Sequence, residues 1–400
     1  MSLPGPFQPL SRLVVARMGS AVLQFATLIL ITRSVSIGEF GDYSTALGVG
    51  AVLSGLLGFG LMTKALRISA DPLIPMARPI VTITVLAALV VSGAVFAFAA
   101  LFGHGWALWA AAATYVGSEM IVGAVQGVLF GEMRRRRGEA LIVLRRAVPL
   151  VPIAVGAVYA PEYVFHLAAA GFVLSAGTAL TMFGVGTWGG WHLRAVIGGS
   201  FQYWMSSIWS MLQQLDVLIV NAILGSSAAG SYSAGFRLAS PIHLVTSSLI
   251  ALMVPKLSGL RSHSERLNAG KPYMLAAAGY AGILVVCAPL TYWGGPLLFG
   301  QQYAATAWVF PVFILNSAFS VVSQVQAARL YSNGVAKPVT RNIATTSVLA
   351  LVFVSAGSLT GEIVVAASLY AFSSGLLVVL HQVSWRRYAA QAERDDKNEE

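Results

Sequence analysis

Residues 13–35 read LVVARMGSAVLQFATLILITRSV and contain two charged side chains, Arg17 and Arg33. A helix needs about 20 mostly apolar residues to cross a bilayer. This stretch is longer than the apolar core of a secretory signal, and no small-residue cleavage site follows it. It therefore predicts a first membrane span that is retained in the protein.

The rest of the chain is equally apolar. Of its 400 residues, 57% are hydrophobic and 10% are charged, whereas a soluble domain has roughly 25% charged residues. So few charges could not cover a surface that faces water, and the length allows about a dozen spans. We therefore predict an all-α polytopic membrane protein with spans at approximately 11–35, 43–66, 79–102, 106–130, 147–160, 164–187, 199–224, 233–254, 273–293, 304–329, 342–360 and 363–384.

Basic residues alternate between the predicted loops. One set includes Arg67, the run Arg134–Arg137 with Arg145 and Arg146, and Lys256, whereas the loops on the other side contain no Lys or Arg. Basic loops stay in the cytoplasm, so both termini are predicted to be cytoplasmic. The net charge of +10 is then explained by topology and by contact with anionic membrane lipids, and no nucleic-acid binding is expected.

The two halves resemble each other at a constant offset. Leu23-Gln24 matches Leu212-Gln213, and Gly41-Asp42-Tyr43 matches Gly230-Ser231-Tyr232. In both places we expect the Gly to form a tight outer turn and the Tyr to lie at the headgroup level. Six spans per half give the halves the same orientation, which predicts a parallel repeat. The predicted organisation is two six-helix lobes, residues 1–195 and 196–385, and a polar cytoplasmic tail, residues 386–400.

Several motifs resemble the polysaccharide biosynthesis (oligosaccharide flippase) proteins of the multidrug/oligosaccharidyl-lipid/polysaccharide (MOP) exporter superfamily. They are Ser36-Ile37-Gly38-Glu39-Phe40-Gly41-Asp42-Tyr43, Gly58-Phe59-Gly60-Leu61 with Arg67, Leu215-Asp216, Ala229-Gly230-Ser231-Tyr232, Arg237-Leu238, Val254-Pro255-Lys256-Leu257-Ser258 and Phe299-Gly300-Gln301-Gln302-Tyr303. The last motif resembles the family's outer turn between spans nine and ten. The motifs are structural, so they imply fold and substrate class better than they imply a site.

The resemblance implies a flippase in the bacterial inner membrane that moves a polyprenyl-diphosphate-linked oligosaccharide by alternating access. Its partners would be the lipid-linked sugar, membrane lipids and, in the same pathway, a polysaccharide polymerase and glycosyltransferases. The chain ends after twelve predicted spans, without the extra C-terminal pair of lipid II flippases, which disfavours the peptidoglycan precursor as substrate.

Charged side chains at hydrocarbon depth are costly, roughly 2.5–3.5 kcal/mol each on insertion scales, and should face a cavity or a partner. By position they are Arg17, Arg33, Glu119, Asp216 and Arg237. Gln202, Ser206, Gln213 and Asp216 share one helical face, and amides with a carboxylate suit sugar hydroxyls. We predict a substrate cavity lined by Arg17, Gln24, Gln202, Gln213, Asp216 and Arg237.

The alternatives for these residues are structural. The polar face of span 7 could join helices instead, and Arg17 could extend its charge to the cytoplasmic headgroups. Glu119 and Asp216 are candidates for proton or ion coupling, because desolvation favours the protonated carboxyl group. The alternative for Glu119 is a structural ion pair with an arginine.

Two other functions stay open. A multidrug/ion antiporter of the same superfamily would share the fold, and a membrane glycosyltransferase or ligase is a third reading. The predicted outer loops are about ten residues or fewer, which is short for a ligase, and we expect no enzymatic activity. The chain has no nucleotide-binding loop, and its histidines lack ligand spacing, so neither a cofactor nor a metal site is predicted.

Overall fold

A computed structural model describes residues 7–61, 65, 77–102, 105–132, 134–184, 204, 208–209, 211–239, 241–258, 260 and 263–399. Over these residues the fold is all-α, as predicted, and contains no β-strand. The α-helices are α1 (Phe7–Ser34), α2 (Ile37–Leu57), α3 (Ala77–Phe102), α4 (Trp106–Gly131), α5 (Arg135–Tyr159), α6 (Val164–Phe183), α7 (Leu215–Leu224), α8 (Ser226–Leu238), α9 (Ile242–Ser258), α10 (His263–Cys287), α11 (Thr291–Phe299), α12 (Val309–Ser332), α13 (Ala336–Ser358) and α14 (Ile363–Glu399).

Within the described ranges, nine helical stretches are long and apolar enough to cross a membrane. They are α1, α3, α4, α5, α6, α10 with α11, α12, α13 and α14. The remaining predicted spans, 43–66, 199–224 and 233–254, are represented by α2, by α7, and by α8 with α9. Each predicted span thus corresponds to helix, and the protein is a multi-pass membrane protein.

The fifth span begins earlier than predicted. We placed it at 147–160, but α5 starts at Arg135, and Pro149 and Pro152 lie inside it. The prediction of Arg145 and Arg146 as loop residues is therefore wrong, since both are in the helix interior. The physical reason is that Ser175 and Gly171 of α6 keep α5 helical at Pro149.

The predicted outer turn at Gly41–Tyr43 is also wrong. The turn lies earlier, because Ser36 caps α2: its side chain accepts the Glu39 N–H at 3.2 Å, and the Glu39 carboxylate accepts the Ser36 N–H at 2.8 Å. In the second half the turn is at Gly225, whose φ is +88°. Tyr43 and Tyr232 are buried, so they pack inside the protein and do not mark the headgroup level.

The glycines of this motif serve close packing between α2 and the start of α8. A Cβ atom at Gly41 would collide with the backbone carbonyl of Ser226, and one at Gly230 would collide with the carbonyl of Ile37. Glycine at both positions lets the two backbones approach at this crossing, as small residues do in membrane proteins. The two halves do match in sequence at this motif, but its glycines serve helix packing and do not form an outer turn.

Contacts divide the chain into two units. The first comprises residues up to Asn221 with Gly225–Gly230, and the second comprises Ala222–Leu224 with Ser231 onward. A core of α3, α4, α5 and α6 side chains, including Ile80, Val125 and Leu141, fills the first unit. In the second, α12 is surrounded by α9 and α10, with Met253, Leu284 and Val321 buried. The lobe boundary predicted at 195/196 lies outside the described residues and stays a prediction.

Candidate functional site

An ion-pair cluster joins α4 and α5 in the first unit. Arg146 donates from its two terminal nitrogens to the two carboxylate oxygens of Glu119, at 2.9 and 3.1 Å. A terminal nitrogen of Arg145, the preceding residue, lies 4.0 Å from an oxygen of the same carboxylate. The side chain of Arg146 is 8% exposed. A bidentate ion pair of this kind, with two parallel hydrogen bonds, is the strong form of an arginine–carboxylate interaction.

The cluster lies near the middle of its helices. Glu119 is about 20 Å from the Trp106 end of α4 and about 18 Å from the Gly131 end, at 1.5 Å per residue. Arg146 is about 20 Å from the Tyr159 end of α5 by the same measure. Because the hydrocarbon core is about 30 Å thick, all three charges lie at hydrocarbon depth.

Helix α6 holds the arginines in place despite two prolines. Pro149 has no N–H to donate to the carbonyl of Arg145, four residues earlier. Ser175 of α6 supplies the missing donor, with its hydroxyl 3.3 Å from that carbonyl oxygen. Gly171 allows this approach, because a Cβ there would lie 2.8 Å from the Cα of Pro149. A Ser and a Gly on the neighbouring helix therefore keep α5 helical where the arginines sit.

The cluster carries more positive than negative charge. Arg17 of α1 acts electrostatically on Arg145, and α1 packs along α5. Glu119 is thus contacted by two arginines, and Arg17 adds a third positive charge nearby, while Arg146 already binds the carboxylate with both terminal nitrogens. The Nε atoms of Arg145 and Arg146 are buried and make no hydrogen bond to the described part of the chain. The cluster therefore has unused donors and a net positive charge.

Aromatic and amide groups of α4 extend the cluster along one helical face. The ring of Tyr115 lies 5.8 Å from the Arg146 guanidinium carbon, and it packs edge-on against Phe172 at 5.0 Å. A cation over an aromatic face gains roughly 0.5–2 kcal/mol. Two turns along α4 in the other direction, the side-chain oxygen of Gln126 is buried and accepts no hydrogen bond from the described residues.

Five of the six predicted cavity residues lie in the part of the chain that the structure describes. Both partners of Glu119 in the described chain are arginines of α5, so the structural ion pair foreseen for it is present. Arg17 is exposed, and Gln24 is half-buried on α1. Arg237 is half-buried near the end of α8, about 16 Å from the start of that helix. Gln202 lies outside the described residues.

The polar face predicted for span 7 is not one continuous helix. Gln213 and Gln214 form a turn, and α7 begins at Leu215. Asp216 is 3% exposed, and its carboxylate accepts the backbone N–H of Val217 at 2.7 Å. A carboxylate in the first turn of a helix is stabilised by the helix dipole. A role in the cavity or in coupling for Gln213 and Asp216 stays a prediction.

Sequence reasoning missed Arg145 and Arg146. A signal was present, because the predicted fifth span had about 14 residues, too few to cross the hydrocarbon core. Extending it towards its N-terminus places both arginines inside. The rule that prolines end helices hid this extension, since the compensating Ser175 and Gly171 are on another helix.

Comparison with solved structures identifies the fold. An inward-facing multidrug resistance MATE family transporter of the MOP superfamily has a TM-score of 0.71 at 12% identity, covering 95% of this chain and 99% of that chain. The lipid II flippase MurJ in an inward closed conformation has a TM-score of 0.69 at 12% identity, covering 94% and 87%. This chain therefore has the fold of the MOP superfamily, as the sequence motifs indicated.

A third neighbour concerns charge. A MOP superfamily transporter from Pyrococcus furiosus, described as having a binding pocket of reverse polarity that suggests a different function, has a TM-score of 0.58 at 13% identity. It covers 96% of both chains. No protein-family profile matches this chain, and no curated protein sequence matches it.

Proposed function

We propose that the protein is a flippase that moves a polyprenyl-diphosphate-linked oligosaccharide across the bacterial inner membrane by alternating access. The observation that carries this proposal is the net positive cluster of Arg145 and Arg146 on Glu119 at hydrocarbon depth, with Arg17 as a further positive charge near Arg145. Membrane proteins place such charge where it is used, because an unneeded one costs a few kcal/mol.

A lipid diphosphate is the anion that fits such a position. Its polyprenyl tail stays in the hydrocarbon while its phosphates must pass through the same depth. Arginine binds phosphate oxygens through two parallel hydrogen bonds, and its charge persists at all physiological pH values. Arg145 and Arg17 are the candidates for this contact, since Arg146 is occupied by Glu119. Amides such as Gln24, Gln202 and Gln213 would serve the sugar.

The main alternative is a multidrug/ion antiporter of the same superfamily, which MATE-type neighbours support. A cationic drug needs an available carboxylate at depth. Glu119 is bound by Arg146 on both oxygens, and Asp216 is held at the start of α7. The first unit therefore suits an anion better than a cation.

A membrane glycosyltransferase or ligase is supported least. The loops that follow α1, α5 and α7, which we predict to lie on the outer side, are short. Helix α2 starts three residues after α1 ends, α6 starts five residues after α5 ends, and α8 starts two residues after α7 ends. The structural neighbours are transporters and a flippase. We therefore expect transport without bond cleavage, with the polymerase and glycosyltransferases of the pathway as separate proteins and both termini in the cytoplasm.

The test uses purified protein in liposomes. A polyprenyl-diphosphate oligosaccharide with a labelled sugar is placed in the membrane, and its arrival in the other leaflet is read by a glycosidase that cannot cross. Facilitated movement of this lipid, with none of a cationic dye, is the expected result. Dye movement with a stationary lipid would establish the antiporter instead.

The predicted cavity residues are tested in the same assay. Asp216→Ala and Arg237→Ala should each slow the lipid while the protein still inserts normally. If both variants move the lipid at the normal rate, these two residues have no part in the mechanism, although the flippase proposal itself would stand.

A further inference from the structure

A second polar cluster lies in the other unit, between α9 and α12. The side-chain amide nitrogen of Gln324 lies 3.1 Å from Nδ1 of His243 and 2.9 Å from the hydroxyl oxygen of Ser320. His243 and Gln324 are half-buried. We call His243, Gln324 and Ser320 the histidine clasp, because it joins a titratable ring on α9 to two side chains of α12.

The orientation of the Gln324 amide in the structure implies proton positions for the clasp. Its nitrogen has two N–H groups and only donates, and it lies within hydrogen-bond distance of both Ser320 and Nδ1 of His243. In this orientation Nδ1 accepts, so we infer a neutral ring with its proton on Nε2. A second proton on Nδ1 would face a donor and force the clasp to rearrange.

The clasp lies beside a break in a membrane-spanning segment. Helix α8 ends at Leu238 and α9 starts at Ile242, with Pro241 between them. The 13 residues of α8 extend about 20 Å, so the break and His243 lie at hydrocarbon depth. Gln324 is at a matching depth, about 22 Å from the start of α12. A broken helix beside a titratable group is suited to movement, since the break removes backbone hydrogen bonds that would resist bending.

A second histidine, on α14, contacts the residue of α12 next to Gln324. Ser323, next to Gln324, accepts through its backbone carbonyl from Nδ1 of His381 at 3.2 Å. The His381 ring is 1% exposed. Two adjacent residues of α12 thus contact histidines of α9 and α14. A movement of α12 at Gln324 would therefore alter contacts to both helices.

The helices packed against α9 carry the other charged and titratable groups that could affect a proton on His243. Helices α10 and α12 pack against α9. The other titratable or charged side chains described on α9, α10 and α12 are Lys256, Glu265, Arg266, Lys271, Tyr273, Tyr280, Cys287, Arg329 and Tyr331. The acid among them, Glu265, lies in the first turn of α10.

We propose that His243 is a proton-binding site that couples a proton gradient to transport. On binding a proton, Nδ1 becomes a donor, and the Gln324 amide rotates so that its oxygen accepts from Nδ1. Ser320 then donates its hydroxyl proton to the same oxygen. No bond other than hydrogen bonds is broken, and the proton comes from water. The proposal rests on transport by the protein but not on the identity of the sugar.

This assignment differs from the sequence prediction, which gave coupling to Glu119 and Asp216. Both carboxylates are bound by protein donors in the described structure. Histidine also has the side chain whose ordinary titration range spans physiological pH. The clasp therefore offers a reversible proton site where the two carboxylates offer structural contacts.

The first test needs no substrate. The chain has six histidines, so ¹⁵N-histidine-labelled protein in lipid nanodiscs gives few imidazole signals, and His243→Asn assigns one. At pH 8 the His243 signal should show the neutral ring with its proton on Nε2, and by pH 5 both nitrogens should be protonated. A ring that stays neutral through this range, or one with its proton on Nδ1 at pH 8, overturns the proposal.

The second test is functional and has a matched control. Lipid-linked sugar transport in liposomes should be accelerated several-fold by an imposed pH gradient, and His243→Asn should abolish that acceleration. Asn keeps an acceptor near the position of Nδ1 but does not titrate. His166→Asn, at the start of α6, should leave the acceleration intact. Acceleration that survives in His243→Asn contradicts coupling at this site. If the lipid is not moved at all, the flippase proposal fails, and the NMR titration alone decides the proton site.

Discussion

The fourth span of each half carries polar side chains at hydrocarbon depth, but the two are partnered in opposite ways. In α4, Glu119 is bound by one arginine and approached by another. In α12 the partners are neutral: Gln324 binds His243 and Ser320, and Gln326 donates to Gln382 of α14 at 3.1 Å. One repeated architecture therefore supports a charged site in the first unit and an uncharged one in the second.

The difference teaches how each site can work. A permanent positive charge attracts an anion but changes little with pH. A neutral network of amides and a histidine has no permanent charge, yet one proton reverses the direction of its hydrogen bonds. We therefore assign binding of the anionic substrate to the arginine cluster of the first unit and binding of a proton to the histidine clasp of the second.

The largest effect is expected from Arg146→Leu. This change leaves the Glu119 carboxylate without its bidentate partner at hydrocarbon depth, which should cost about 3–5 kcal/mol of stability. Thermal unfolding in nanodiscs measures the loss. Arg145→Leu is the matched control and should lose far less, because the Glu119–Arg146 pair remains.

The double variant Glu119→Leu/Arg146→Leu sharpens this result. Removing both charges should recover most of the stability lost in Arg146→Leu, since no uncompensated charge remains. If Arg146→Leu is as stable as Arg145→Leu, the Glu119–Arg146 pair is not the central contact of the cluster.

A smaller effect is expected at the neutral pair. Gln382→Leu leaves the amide of Gln326 without its acceptor, which should cost about 1–3 kcal/mol, and Gln326→Leu/Gln382→Leu should be close to neutral. The measurement is again thermal unfolding in nanodiscs. If Gln382→Leu destabilised the protein as much as Arg146→Leu does, the charged site of the first unit and the neutral site of the second would not differ in stability as this contrast requires.

The smallest effect is expected from Ser175→Ala. It removes the donor to the Arg145 carbonyl that Pro149 leaves unpaired, for a loss of about 1 kcal/mol. Thr178→Val on the same helix is the control, because the Thr178 hydroxyl donates to the carbonyl of Leu174 in its own helix. Equal stability of the two variants would show that α6 does not support the proline-containing helix.

The sequence was sufficient for the fold because membrane spans are determined locally. Apolar length predicts each span, and each of the twelve predicted stretches contains helix among the residues that the structure describes. What failed was set by contacts between distant residues. The start of α5 depends on Ser175 and Gly171, and the role of Gly41 depends on Ser226. No local pattern in the sequence contains these pairs.

The site was predicted less well for a related reason. Hydrocarbon depth marked Glu119 and Arg17, and an ion pair for Glu119 was among the alternatives. Its partners were missed because Arg145 and Arg146 were assigned to a loop. His243 was set aside because it has no metal-ligand spacing, and its partner Gln324 is far away in sequence. Residue type and depth predict that a polar group has a partner, but only the fold identifies the partner.

The most direct test of the central claim is the effect of Arg145→Gln on substrate. Gln keeps polarity but removes the charge that Glu119 does not neutralise, and the structural pair with Arg146 stays intact. The claim predicts normal stability with a loss of at least about tenfold in movement of a polyprenyl-diphosphate oligosaccharide, the equivalent of about 1.4 kcal/mol. An unchanged rate in a stable Arg145→Gln protein would contradict the claim that this cluster receives the anion.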